Sequence, residues 1–106
     1  RTIKASIHGF IRDNSFFGFI VWRRWFIGMT DDPEIEKEKH NYPSIWMNWH
    51  VKTGLIAKEL LIFFREKYPL KGEKPNKEDC PYIYVYKIRS YTKEQDMPPT
   101  EPGESK

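Results

Sequence analysis

Hydrophobic and polar residues are patterned as strands in four short stretches of the chain. Residues 2–8 alternate apolar and polar side chains, which is the period of a half-buried strand. Residues 16–22 (FFGFIVW) and 25–29 (WFIGM) are rich in aromatic and β-branched side chains, as buried strands are. Residues 82–88 (YIYVYKI) alternate again. Together these stretches predict a small antiparallel sheet of three to four strands.

Two further stretches carry helix signals. Asp32 followed by Pro33 is a typical helix start, because the carboxylate accepts free amide protons and proline costs nothing at the first helical position. The helix predicted from there, residues 33–39, is charged almost throughout, with Ile35 as its single apolar anchor. Residues 55–67 predict a longer helix that is apolar on most faces and therefore buried.

The predicted fold class is therefore α/β in the α+β sense, with the sheet packed against one long buried helix and one short charged helix. In the long helix we expect Leu60, Phe63 and Phe64 to face the sheet. Trp46 and Trp49 are three residues apart, which fits one face of a helix or an irregular turn. Two interpretations of these tryptophans are open. They are either core or half-buried aromatics, or a platform that binds a base or a partner.

A chain of 106 residues predicts one domain, here residues 1–91, followed by a polar, proline-rich tail over residues 92–106. Met97 is the tail's only substantial apolar side chain. Ordering fifteen such residues costs far more backbone entropy than burial of one methionine returns. We therefore expect the tail to leave its own domain and bind another protein chain, through Met97, Pro98, Pro99 and Pro102.

Charge permits nucleic-acid contact without requiring it, because 18 basic and 15 acidic residues leave a net charge of only +3. Basic and aromatic residues alternate at Trp22, Arg23, Arg24 and Trp25. Arginine pairs with phosphates and tryptophan stacks on bases, so these four residues are the candidate nucleic-acid contacts. The alternative is a solvated turn.

The single cysteine, Cys80, excludes an intramolecular disulfide and favours an intracellular, reducing compartment. No apolar run reaches the roughly 20 residues of a membrane helix. Arg1 in place of Met fits a processed mitochondrial protein, and equally a chain that was trimmed or sequenced incompletely at its start. His8, His40 and His50 do not form a metal-binding spacing, so no metal or cofactor is expected from the residues themselves.

The central part of the chain resembles a GIY-YIG nuclease-like domain over residues 16–92. The residues that carry the resemblance are Phe26-Ile27-Gly28 for the second triplet, Thr30-Asp31-Asp32-Pro33 for the turn, His40 for the closing histidine, Ile56 to Phe64 for a helix and Tyr82 to Ile88 for a strand. The family cleaves phosphodiesters with one divalent metal, an arginine and tyrosine hydroxyls. The resemblance thus implies a mixed fold and, in active members, Mg²⁺.

The catalytic positions of that family are not kept here. The resemblance aligns the arginine with Glu36 and the metal carboxylate with Leu61, or with Glu59 after a shift of two residues. In the first triplet, Gly18-Phe19-Ile20, neither Phe19 nor Ile20 carries a hydroxyl, and in the second Phe26 stands where tyrosine is usual. We therefore expect a catalytically inactive GIY-YIG-like domain that serves as a structural or interaction subunit of a larger assembly.

Two alternatives stay open. One is a Mg²⁺-dependent endonuclease that uses His40 and Glu59. The other is a nucleic-acid-binding module without catalysis, which would use Arg23 and Arg24 with their neighbouring tryptophans.

Overall fold

The computed structural model describes residues 2–74 and 80–94. The helices are α1 (Ile3–Asp13), α2 (Pro33–Lys39) and α3 (Gly54–Lys67), and a 3₁₀ turn spans Trp22–Arg24. The strands are β1 (Trp25–Thr30), β2 (Trp46–His50), β3 (Lys71–Gly72) and β4 (Tyr82–Lys87). The α+β fold class predicted from the sequence is confirmed.

The four strands form one mixed sheet in the order β2-β4-β1-β3. Strand β4 pairs antiparallel with both β2 and β1, whereas the short β3 pairs parallel with β1. In register, Phe26 lies opposite Tyr86 and Gly28 opposite Tyr84. All six residues of β1 are buried, which means that both faces of the sheet are covered there.

The two faces of the sheet have different cover. Helices α1 and α3 pack on one face, where Leu61 and Phe64 meet Ile27 and Val85 in the main hydrophobic core. Side chains alternate along a strand, so Phe26, Tyr84 and Tyr86 point to the other face and form a second, smaller cluster with Trp46. Helix α2 lies on that second face, since His40 at its end contacts the rings of Phe26, Tyr84 and Tyr86.

The strand predicted for residues 2–8 is wrong, because this segment lies in helix α1. Thr2 caps the helix by accepting the amide proton of Ala5 at 3.1 Å. Ile7 and Ile11 are fully buried, and Ile3 packs at the edge of the core. This alternation is too short to separate a strand from a helix that turns positions 3, 7 and 11 towards the core.

The strand predicted for residues 16–22 is also wrong. Both edges of β1 are occupied, by β4 and β3, which leaves no edge for a preceding hairpin strand. Phe16 instead bridges to Phe19 in a tight turn, with Phe17 at φ +52° and Gly18 at φ +75°. Phe16, Phe17 and Phe19 are 76%, 82% and 77% exposed, so this aromatic segment is a surface loop.

Both predicted helices are confirmed near their expected limits. Asp32 caps α2 by accepting the amide protons of Glu34 and Ile35. Ile35 itself is 58% exposed and is not the anchor of α2. In α3, Leu60 and Phe64 are buried as expected, whereas Phe63 is half-buried at the rim of the core.

Trp46 and Trp49 lie in strand β2, not in a helix or an irregular turn. An offset of three places them on opposite faces of the sheet. Trp46 stacks on Tyr84 at 4.7 Å between ring centroids, and Trp49 meets Phe10 edge-on at 6.1 Å. Both are half-buried, which agrees with a packing role.

The start of the predicted tail contacts its own domain. The amide of Lys93 donates to the carbonyl of His40 at 3.1 Å, and Thr92 is buried. The expectation that the tail leaves the domain is therefore wrong for residues 92–94. Residues 95–106, with Met97, Pro98, Pro99 and Pro102, lie outside the described residues.

Candidate functional site

The main candidate site is a basic groove at one end of the sheet. Strands β1 and β4 run antiparallel, so the start of β1 lies beside the end of β4, with Trp25 opposite Lys87. The carbonyl of Arg24 accepts a hydrogen bond from the amide of Ile88 at 2.7 Å. Basic residues just before β1 and just after β4 are thereby brought together.

Four cationic side chains line the groove: Arg23, Arg24, Lys71 and Arg89. Its volume of about 810 Å³ is in the range of ligand-binding clefts. The other lining residues are neutral (Ser44, Ile88, Ser90, Tyr91). In residues 2–74 and 80–94, none of the four cations forms a salt bridge with a carboxylate. The groove thus concentrates positive charge in a chain whose net charge is only +3.

A smaller pocket of about 220 Å³ adjoins the groove and shares Arg24 and Arg89 with it. Lys87 lines this pocket, where its ammonium group donates to the carbonyl of Asn14 at 2.9 Å. Burial lowers the pKa of Lys87 from its usual 10.5, and the positive charges of Arg89 and Arg24 lower it further. The three cations are therefore close enough to repel one another, which favours binding of an anion between them.

Tyr91 joins the groove to the rest of the domain. Its hydroxyl donates to Ser44 Oγ at 2.8 Å and accepts the Ser44 amide proton at 3.0 Å. The Ser44 hydroxyl and amide can both donate to the ionised Tyr91 oxygen, which lowers the pKa of Tyr91. The Asn41 side chain donates to the Tyr91 carbonyl at 2.8 Å, which fixes the segment that carries Arg89.

The two tryptophans predicted to contact nucleic acid both pack against other residues of the domain. Trp25 is 1% exposed in the main core. Trp22 stacks on Tyr68 with 3.9 Å between ring centroids and an interplanar angle of 14°. Of the four candidate residues, Arg23 and Arg24 line the groove, whereas Trp25 is buried and Trp22 is half-buried against Tyr68.

A second cluster of ionisable side chains is buried on the α2 face of the sheet. Glu36, His40 and Glu73 are each at most 3% exposed. The Tyr84 hydroxyl lies at their centre, 3.1 Å from Glu36 Oε2, 2.9 Å from Glu73 Oε2 and 3.0 Å from His40 Nε2. Gly28 makes room for this hydroxyl, because a Cβ there would lie 2.5 Å from Tyr84 Oη.

The ring of His40 is hydrogen-bonded on both sides. Its Nε2 lies 3.1 Å from Glu36 Oε2, and its Nδ1 faces the carbonyl of Lys93. The hydroxyls of Tyr84 and Tyr86 also lie 3.0 Å from Nε2 and Nδ1, respectively, so each ring nitrogen has two polar neighbours. Tyr86 closes the cluster by donating to Glu94 at 2.7 Å.

The donor set of this cluster meets the distance condition for one metal ion. One ligand atom from each of Glu36, His40 and Glu73 lies within 4.8 Å of the others. The same atoms are joined by hydrogen bonds through Tyr84, and Lys39 Nζ lies 3.7 Å from Glu36 Oε1. A hydrogen-bonded network with compensating charges accounts for the burial of these acids.

The two candidate catalytic residues are not brought together. His40 packs on the face of Phe26, Tyr84 and Tyr86. Glu59 is exposed on α3, which covers the opposite face. Leu61, the other position aligned with the metal carboxylate, is fully buried in the core.

The remaining single residues take packing positions. His8 contacts the rings of Trp22 and Tyr68, and His50 meets Tyr82 edge-on. Cys80 is buried in the main core.

Sequence reasoning missed Arg89 in the groove and Lys87 in the adjoining pocket. A signal for both exists, because Arg23-Arg24 precede one strand and Lys87 and Arg89 lie at the end of the other. Antiparallel pairing of those strands brings the two basic pairs together. Sequence reasoning also missed Glu73 and Tyr84 in the buried cluster, for which we find no local signal.

No protein-family model, curated protein or solved structure matches this chain. Within the described residues, no helix has both the length and the apolar character to cross a membrane.

Proposed function

We propose that this chain is a non-catalytic binding domain that binds nucleic acid through its phosphates in the basic groove. The observation that carries the proposal is the set of four cations that line one groove without an acidic partner in the described segments. Uncompensated cations in a concave surface attract a polyanion and focus its field. Arginine also pairs with phosphate through two parallel hydrogen bonds.

The form of the groove supports a chain-like ligand. It is open, and its hydroxyl groups at Ser44, Ser90 and Tyr91 add hydrogen-bonding partners for sugar and phosphate oxygens. The adjoining pocket with Lys87 extends the positive surface beyond a single phosphate. A polymer of phosphates uses such an extended surface better than one small anion does.

A role as a subunit of a larger assembly stays a proposal with less support. Part of its support was the tail, and residues 92–94 contact their own domain. The Mg²⁺-dependent nuclease is also less well supported, because Glu59 and His40 lie against opposite faces of the sheet. The GIY-YIG resemblance stays a hypothesis about ancestry and adds nothing to the choice of ligand.

The proposal is tested by titrating fluorescein-labelled 20-nucleotide DNA and RNA with the protein at about 50 mM salt and following anisotropy. The variant Arg23→Ala/Arg24→Ala removes two groove cations. The control Lys52→Ala/Lys58→Ala removes two cations that do not line the groove. We expect the groove variant to bind about tenfold or more weakly. The reason is that counterion release makes the contribution of each phosphate contact to affinity largest at low salt. The affinity of the control variant is expected to stay within about twofold of that of the unmodified chain.

Two results would refute the proposal. One is the absence of binding by the unmodified chain at this salt concentration. The other is equal weakening of both variants, which would indicate attraction by net charge alone. Adding Mg²⁺ to the same mixtures tests the nuclease alternative, which gains support if the oligonucleotide is cleaved and Glu59→Ala abolishes cleavage.

A further inference from the structure

The surface loop at residues 15–21 lines the smaller pocket that adjoins the basic groove. Phe16, Phe19 and Val21 line the smaller pocket together with Arg24 and Lys87. Aromatic faces and cations therefore share one concave surface, which is the combination that a nucleotide requires for its base and its phosphate.

The exposure of the loop has no explanation in the packing of the domain. Phe16 and Phe19 are each more than three-quarters exposed, and Phe17 still more so. Phe16 and Phe17 contact each other with ring centroids 4.3 Å apart, so they form a joined aromatic surface. Contiguous exposed apolar patches often mark binding sites.

The backbone of the loop presents these rings outward at a cost. Phe17 has φ +52°, a left-handed conformation that residues with a Cβ adopt rarely. Asparagine or glycine would suit this position better for stability alone. A large apolar ring in a strained, exposed position therefore serves something other than the fold.

We propose that the loop stacks on the bases of single-stranded nucleic acid whose phosphates occupy the groove. This inference rests on the proposed function and adds the form of the ligand. Bases in a duplex are stacked on one another and present only their edges, whereas those of a single strand expose their faces. The continuity of the aromatic patch with Arg24, Lys87 and Arg89 favours this occupant over a second copy of the chain, which carries the same positive groove.

The test compares a single-stranded 20-mer with the duplex of the same sequence, for the unmodified chain and for Phe16→Ser/Phe19→Ser. Stacking on one base is worth about fivefold or more in affinity. We expect the unmodified chain to bind the single strand more tightly by at least that factor. The variant is expected to lose this preference while its affinity for the duplex stays within about twofold. Leu55→Ala is the control, because this apolar side chain is 65% exposed and lines neither the groove nor the smaller pocket. It is expected to change neither the preference for the single strand nor the affinity for the duplex.

The outcomes separate the two proposals. Equal affinity for single strand and duplex, unchanged in the phenylalanine variant, would overturn the stacking role and leave the groove proposal standing. Absence of binding to either form would refute both. Analytical ultracentrifugation at the same concentrations tests whether a second copy of the chain occupies the loop instead. A dimer that dissociates in the phenylalanine variant would assign the loop to self-association and overturn the inference.

Discussion

The Tyr84 hydroxyl should contribute more to stability than any other single atom in the buried cluster. Tyr84→Phe removes this oxygen and changes little else in the shape of the side chain. It removes the single proton that is shared between Glu73 at 2.9 Å and Glu36 at 3.1 Å, and the oxygen that lies 3.0 Å from His40 Nε2. All three partners are buried, so water cannot replace the lost bonds without opening the sheet face.

The magnitude follows from the nature of the partners. A hydrogen bond to a charged group contributes about 1.5–3 kcal/mol, and a buried polar group left unsatisfied costs about 1–3 kcal/mol. Glu36 and His40 keep each other as partners, so the loss is smaller than the sum of three such bonds. We expect Tyr84→Phe to lower the free energy of unfolding by about 2–4 kcal/mol. In a domain of about 100 residues this corresponds to a decrease of roughly 8–30 °C in Tm.

The assay is urea unfolding followed by tryptophan fluorescence, with the slope against urea compared between variants. Tyr82→Phe is the matched control, because Tyr82 lies two residues earlier on β4 and packs on His50 at the end of β2. We expect the free energy of unfolding of the control variant to stay within about 0.5 kcal/mol of that of the unmodified chain. A Tyr84→Phe variant as stable as the control, or more stable than the unmodified chain, would refute the reasoning. It would mean that the acids are satisfied without the hydroxyl.

Three further predictions test the core, the close approach in β1 and the charge of the groove. Leu60→Ala should lower the free energy of unfolding by about 2–5 kcal/mol, whereas Glu59→Ala, at the exposed neighbouring residue, should change it by less than about 0.5 kcal/mol. Similar values for the two variants would contradict the packing of α3 on the sheet. Gly28→Ala should cost about 1–3 kcal/mol in the same assay, because the added methyl group meets the Tyr84 ring end, and an unchanged midpoint would contradict that contact. Oligonucleotide affinity should begin to fall with rising pH before pH 10.5 is reached, because the lowered pKa of Lys87 removes the cation of the adjoining pocket early, and Lys87→Arg should reduce this fall. Equal pH dependence in both proteins would exclude Lys87 as the cause.

The sequence predicts the parts of the fold in which local signals agree with the tertiary structure. Asp32 and Pro33 begin α2, and the apolar run of α3 is buried, as their patterns indicate. The two central strands are also correct. In each case capping chemistry, periodicity and burial favour the same element, which makes the local pattern sufficient.

The errors arise where a long-range contact decides the structure. Residues 16–22 have a strand composition, but β1 has no free edge to pair with them. Residues 2–8 alternate over too short a span to exclude a helix. The candidate site depends on such contacts even more, because Arg24 meets Arg89 only through the pairing of β1 with β4. Pairing of distant strands is not encoded in any short window of sequence, so Arg23 and Arg24 could be predicted as contacts and their partners could not.

The central claim, that the groove binds the phosphates of a single strand, is tested most directly by the salt dependence of binding. For single strands the slope of log K against log salt concentration is about −0.7 for each phosphate neutralised. If Arg23, Arg24, Lys71 and Arg89 each neutralise one phosphate, the slope should be about −2.8, or a loss of roughly 50-fold in affinity between 50 and 200 mM salt. The variant Arg23→Ala/Arg24→Ala should reduce the slope to about −1.4 by the same relation. A slope near zero in the unmodified chain, or one that this variant leaves unchanged, would contradict the account.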